Sequence, residues 1–188
     1  MADIRSIAGE CSYDYNSYFV DADSRVVIQM EYKEILSIAG KYQAMLEPYC
    51  KRIEIAGSIR RKKPESRDIE IVCVVDPERI DKFESVVNYW LKCKGSPRGR
   101  YTQRMTPSGL KLDLFMCELD NWGNIFLIRT GNWKFSRFMM GIRAKQVGYL
   151  HRYGYLWHEG NKFACYEERD VFRLLKMDWI KPEDREWD

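Results

Sequence analysis

The chain has 188 residues, a formal net charge of +3, 45% hydrophobic and 14% aromatic content, enough to bury the core of one compact unit or two small subdomains. No stretch approaches the run of about eighteen apolar residues that a membrane span needs, and MADIRSIAGE at the start lacks the basic-then-apolar order of a secretory signal. The expectation is a soluble, cytoplasmic, monomeric protein with no membrane partner. Six cysteines, at 11, 50, 73, 93, 117 and 165, are widely spaced with no Cys-x-x-Cys, which argues against a thiolate metal site and fits free thiols in a reducing compartment. His151 and His158 are too isolated for a zinc centre.

Charge is unevenly distributed. Lys92 to Lys111 and Arg129 to Arg152 each hold six Lys or Arg and no acid, whereas the last 23 residues hold eight acids against five bases. Acid-free basic stretches on a soluble protein suggest a polyanionic partner.

In chain order, residues 1–30 read as an N-terminal extension whose RVVIQM run is strand-like. Residues 31–48 place Ile35, Ile38, Ala39, Tyr42, Met45 and Leu46 at helical spacing. RIEIA, 52–56, alternates and reads as a strand entering Gly57-Ser58. DIEIVCVV, 68–75, alternates and then turns wholly apolar, the pattern of a central strand whose polar end opens on a site. PERIDKFESVVNYWLK, 77–92, sets Ile80, Phe83, Val87 and Trp90 on one face of a helix after Pro77. RYTQRM and LKLDLFMC flank Thr106-Pro107-Ser108-Gly109, which has the Pro and Gly positions of a type I turn. Leu110, Leu112, Leu114 and Met116 then point one way, Lys111 and Asp113 the other. Beyond about residue 125 the pattern predicts a helix over 132–147, a hairpin in YGYLWHEGNKFACY and a short helix in RDVFRLLKM. The fold class is α+β: a mixed sheet with flanking helices over 31–122, followed by a smaller α+β subdomain over 123–188.

The densest positive run, Arg60 to Lys63, lies just before Asp68 and Glu70. These acids are two apart on a strand and share a face. If Asp113 joins them from a neighbouring strand, three carboxylates converge, and mutual repulsion calls for a cation between them. Hard oxygen donors suit Mg²⁺ or Mn²⁺, and two such ions serve the attacking and leaving oxygens of phosphoryl transfer. Gly57 lets the backbone approach a ligand, Ser58 offers a hydroxyl to phosphate, and Arg61 adds a fork matched to phosphate. Lys62 and Lys63 read as solvated surface.

With Gly-Ser-x-Arg-Arg, seven more positions to Asp-x-Glu, and a third acid on a later strand, the sequence resembles the polymerase beta-like nucleotidyltransferases, and within them the family X DNA polymerases. Thr130-Gly131 in LIRTGNWKF resembles the family's turn at the nucleotide pocket, and EERDVFRLLKMDWIKPEDRE its closing segment. The likeness runs over about 32–188 and implies a palm followed by a nucleotide-binding, thumb-like subdomain.

Carried over, it implies that Asp68, Glu70 and Asp113 bind two Mg²⁺ ions (or Mn²⁺), with Asp113 also helping to deprotonate the primer 3′-hydroxyl. Ser58, Arg61, Ser66 and the backbone of Arg67 would hold the β- and γ-phosphates, with Gly57 at the turn, and Arg129, Thr130, Gly131 and Trp133 would line the sugar and base. Lys111 would lie near the primer end, and Arg104 and Arg137, from the two basic stretches, would contact nucleic-acid phosphates. Trp133 reads either as a base-stacking residue or as core. Arg67 stands where the family has glycine, Glu70 where it has a second Asp, and Ile128-Arg129 where many members have a Tyr-Phe pair. That last departure predicts weak discrimination between deoxy- and ribonucleotides, with Arg129 placed to restore a filter. The resemblance implies a template-directed repair polymerase taking dNTPs, and tolerating rNTPs, on gapped or primer–template DNA, without a lyase or proofreading domain. The alternatives are a template-independent nucleotidyltransferase or one acting on an RNA end or another acceptor, or an inactive nucleic-acid-binding module.

Overall fold

A computed structural model of the chain describes residues 18–20, 26–28 and 30–188. In chain order, β1 (Tyr18–Val20) and β2 (Val26–Ile28) form an antiparallel ribbon, which accounts for part of the strand-like RVVIQM run; most of the N-terminal extension, with Cys11, lies outside the described residues. β3 (Met30–Glu31) leads into α1 (Tyr32–Leu46), followed by β4 (Cys50–Ile55), the single turn α2 (Gly57–Arg60), β5 (Glu65–Ser66), β6 (Asp68–Val75), α3 (Ile80–Asn88) and the strands β7 (Leu91–Gly95), β8 (Tyr101–Met105) and β9 (Lys111–Met116). After these come α4 (Trp122–Thr130), α5 (Trp133–Arg137), α6 (Ala144–Gln146), β10 (Leu150–Arg152), β11 (Tyr155–His158), β12 (Asn161–Phe163) and α7 (Glu168–Leu174).

The main sheet has five strands in the order β4-β6-β9-β8-β7. β6 and β9 run parallel; the other neighbours are antiparallel. Alternation along β6 and β9 assigns the two faces. Ile69, Ile71, Cys73, Leu112 and Leu114 pack with Ile35, Ala39 and Leu46 of α1 and Phe83 and Val87 of α3. The opposite face is apolar only at the far ends of the strands, where Val72, Val74 and Phe115 lie under Trp122 and Phe126 of α4. The near ends, carrying Asp68, Glu70 and Asp113, are left outside that apolar cover. A third cluster, including Leu127, Phe135, Met139, Leu156, Val171 and Phe172, forms the core of the C-terminal part.

The helix expected over 77–92 is shorter. Pro77–Arg79 is a 3₁₀ turn capped by the Asp76 side chain, and α3 ends at Asn88. Trp90 then turns inward, edge-on to Tyr42 with ring centroids 5.2 Å apart, and β7 forms the sheet edge. Every β7 residue is exposed, so no apolar alternation marks it as a strand. α4 was not expected at all. It is buried against both the sheet and the C-terminal core, so apolar residues surround it and the helical period disappears. The helix expected over 132–147 spans Trp133 to Gln146 but widens to a π-helix over Phe138–Arg143. The expected hairpin gains a third strand, β10.

Candidate active site

Gly57 begins the site. Its φ is +62°, and a Cβ there would lie 1.9 Å from Glu70 Oε2, so both the left-handed backbone and the packed carboxylate demand glycine. The loop is tied to β6 by the Ala56 amide donating to the Glu70 carbonyl at 2.8 Å. Parallel register sets Glu70 beside Asp113 and Asp68 beside Lys111, and antiparallel register sets Gln103 beside Asp113 and Tyr101 beside Phe115. Asp68, Glu70, Asp113, Gln103 and Tyr101 therefore share one face. Gln103 Nε2 donates to both Asp113 oxygens, at 2.9 and 3.2 Å, and the Tyr101 hydroxyl donates to Oδ1.

Burial is the largest influence raising the Glu70 carboxyl, to about 7, and the charges of Asp68 and Asp113 add to it, while Arg129 and Arg61 oppose it. Asp68 is raised by burial and then by Asp113, against Lys111, Arg61 and Arg67. Carboxylates held this close favour a cation bound between them.

Ser58, Arg61, Asp68, Glu70, Arg129, Gly131 and Trp133 line one cleft of about 840 Å³ together with Asn132, Lys134, Ser136, Glu186 and Trp187. Asp113 lies in an adjoining cleft of about 430 Å³ with Lys94, Tyr101, Gln103 and Phe115. Arg129 borders both clefts, its guanidinium 4.0 Å from the Phe115 ring centre. Trp133 is 65% exposed, so of its two readings the core one is corrected.

Other expected residues stand elsewhere. Thr130 is buried; its hydroxyl accepts from Arg60 and its carbonyl from Arg61. Ser66 is buried in β5, paired with Met30. Arg67 is exposed and lines neither cleft. Arg104 requires correction as a nucleic-acid contact: it is 2% exposed and donates to Asn88 at 2.9 Å on the α3 side of the sheet. Lys111 and Arg137 are exposed.

The basic run is engaged by the acidic C-terminal segment. Arg60 forks onto Glu168 with both bonds at 2.7 Å, Arg61 Nε and Lys63 Nζ each bind Glu186 at 2.8 Å, and Lys62 pairs with Glu183 at 2.6 Å. Lys62 is thus paired as well as solvent-facing. Glu168 also accepts from Arg185, whose guanidinium lies among Phe135, Phe172 and Trp179. Gln103 was missed from sequence although the hairpin register would have placed it beside Asp113, and Tyr101 two residues away on the same face. Glu186 carried no local signal.

Residue type and register fit divalent cations: three carboxylates, Asp68, Glu70 and Asp113, share one face. As placed, no three His, Cys, Asp or Glu groups among the described residues stand in ion-holding geometry, and Asp113 is engaged by Tyr101 and Gln103.

The family model of the DNA polymerase beta thumb matches residues 125–186. Among solved structures, the chain is similar to Leishmania infantum polymerase beta, in a structure titled a ternary P/T complex, with a TM-score of 0.68 and 18% identity over 85% of this chain and 77% of that one. The chain is family X DNA polymerase-like in fold. No curated protein matches it. The polymerase beta-like thumb accordingly contains most of α4, with Gly131 and Trp133, and reaches Glu168, Arg185 and Glu186. Among the described residues no helix is long and apolar enough to cross a membrane.

Proposed function

We propose that the chain is a metal-dependent nucleotidyltransferase that adds dNTPs to a primer 3′-hydroxyl on gapped or primer–template DNA, releasing pyrophosphate. The observation that carries this reading is the register that lines Asp68, Glu70 and Asp113 along one sheet face beside a cleft containing Ser58 and Arg61. In this reading residues 31–122 are the palm and 123–188 the thumb-like subdomain. The P/T complex named for the Leishmania neighbour supports DNA and nucleotide as partners.

Asp68, Glu70 and Asp113 would hold two Mg²⁺ or Mn²⁺ ions, which when bound neutralise charge on the attacking and leaving oxygens. Ser58 and Arg61 orient the triphosphate, and Trp133 offers an exposed ring on which a base can stack. Lys111, exposed beside Asp68 in register, contacts DNA phosphate. Asp113, turned from Tyr101 toward the primer hydroxyl, accepts its proton. Positioning and charge supply most of the rate in such reactions.

The test is incorporation of labelled nucleotides into a one-nucleotide-gapped duplex with Mg²⁺ or Mn²⁺. Template-dependent extension, lowered about a thousandfold or more in Asp113→Ala, is expected. Untemplated addition to single strands, transfer only to a non-DNA acceptor, or duplex binding without incorporation would overturn it.

A further inference from the structure

Arg61 is proposed above to hold phosphate, yet in this structure it already holds an anion. Its Nε–H and the Lys63 ammonium donate to the two different oxygens of Glu186, each at 2.8 Å. The Arg61 side chain is only 10% exposed, whereas that of Glu186 is 39% exposed. A carboxylate bridging two cations is a smaller version of a phosphate bridging the same cations. The segment behind it is anchored independently. Trp187 packs on Phe135 and Phe138 with ring centroids 5.1 Å away, Asn132 Nδ2 donates to the Trp187 carbonyl at 2.7 Å, and the Asn132 amide donates to the Arg185 carbonyl at 3.1 Å. The Glu186 side chain can therefore swing off Arg61 while Arg185 and Trp187 stay seated.

We propose that Glu186 is an internal competitor at the phosphate site: an incoming polyphosphate must displace from Arg61 the carboxylate that Lys63 also holds, so Glu186 sets the affinity threshold of the site. This rests on the reading of the cleft as a triphosphate site. A ligand reaching Arg61 loses two partly exposed ion pairs before gaining its own, a penalty equivalent to about a three- to tenfold weakening. Glu183, bound to Lys62, is not part of the cleft lining and serves as the charge-matched control.

The experiment is calorimetric titration of the full chain with tripolyphosphate at low ionic strength, where such pairs are least screened. Glu186→Gln is expected to tighten binding about three- to tenfold and Glu183→Gln to leave it unchanged. In the gap-filling assay Glu186→Gln should lower the nucleotide KM with kcat preserved. Equal or weaker binding by Glu186→Gln overturns the role of Glu186 while leaving the phosphate site standing. An equal gain in Glu183→Gln reduces the effect to net charge and also overturns it. If neither wild type nor Glu186→Gln binds tripolyphosphate, the phosphate-site reading falls and the role of Glu186 with it.

Discussion

Glu168→Gln removes the one negative charge between two guanidinium groups. The Glu168 side chain is 5% exposed, that of Arg185 is 0% and that of Arg60 is 20% exposed. Arg60 reaches it from α2, and Arg185 from the C-terminal segment, so the carboxylate joins the turn before β6 to the core of the C-terminal part. Breaking a buried ion pair from one side costs about 3–5 kcal/mol because the remaining charge is stranded; partial exposure of Arg60 puts this case near the lower end, about 3 kcal/mol. For a protein of this size that corresponds to a fall in Tm of about 6–12 °C. Urea and thermal unfolding at neutral pH would measure it. The triple replacement Arg60→Met, Glu168→Leu, Arg185→Met should recover most of the loss, since an apolar trio of similar volume strands no charge.

Acid provides an independent check. Burial alone would raise the Glu168 carboxyl, but hydrogen bonds from Arg60 and Arg185 outweigh it and hold the group below its ordinary value of 4.5. A depressed carboxyl stabilises the fold above its unfolded value, and that stability is lost as pH falls through the folded value. Below pH 4.5 the wild type should therefore converge on Glu168→Gln in stability. A loss under about 1 kcal/mol at neutral pH, or a gap between the two that widens in acid, would refute the reasoning.

Two further outcomes follow from the site. Gly57→Ala places a methyl 1.9 Å from Glu70 Oε2 at a backbone φ of +62°; it should cost about 1–2 kcal/mol in unfolding experiments and abolish incorporation by displacing Glu70. Lys111→Ala should weaken duplex binding and reduce the salt slope by about 1, whereas Arg104→Ala should lower Tm and leave the salt slope unchanged, because its guanidinium faces α3.

The sequence alone determined the carboxylate face. Asp68 and Glu70 share it by strand period, and the wholly apolar run after them identifies a central strand. The Pro-Gly turn at 106–109 fixes the hairpin that carries Asp113, and local chemistry of this kind survives folding because it depends on neighbours a few residues away. α4 and β7 escaped because α4 packs apolar residues against two separate cores and β7 is exposed along its whole length, so neither shows a single apolar face. The partners of the basic run were beyond reach for a different reason. Arg60 and Glu168 lie 108 positions apart and Arg61 and Glu186 lie 125 apart; nothing in a local charge pattern states which distant acid will answer a given base. Only the packing of the C-terminal part against the main sheet and its α2 turn decided that Arg60 is structural, that Thr130 is buried as its partner, and that Arg61 meets Glu186, because such distant ion pairs are set by how the cores pack together.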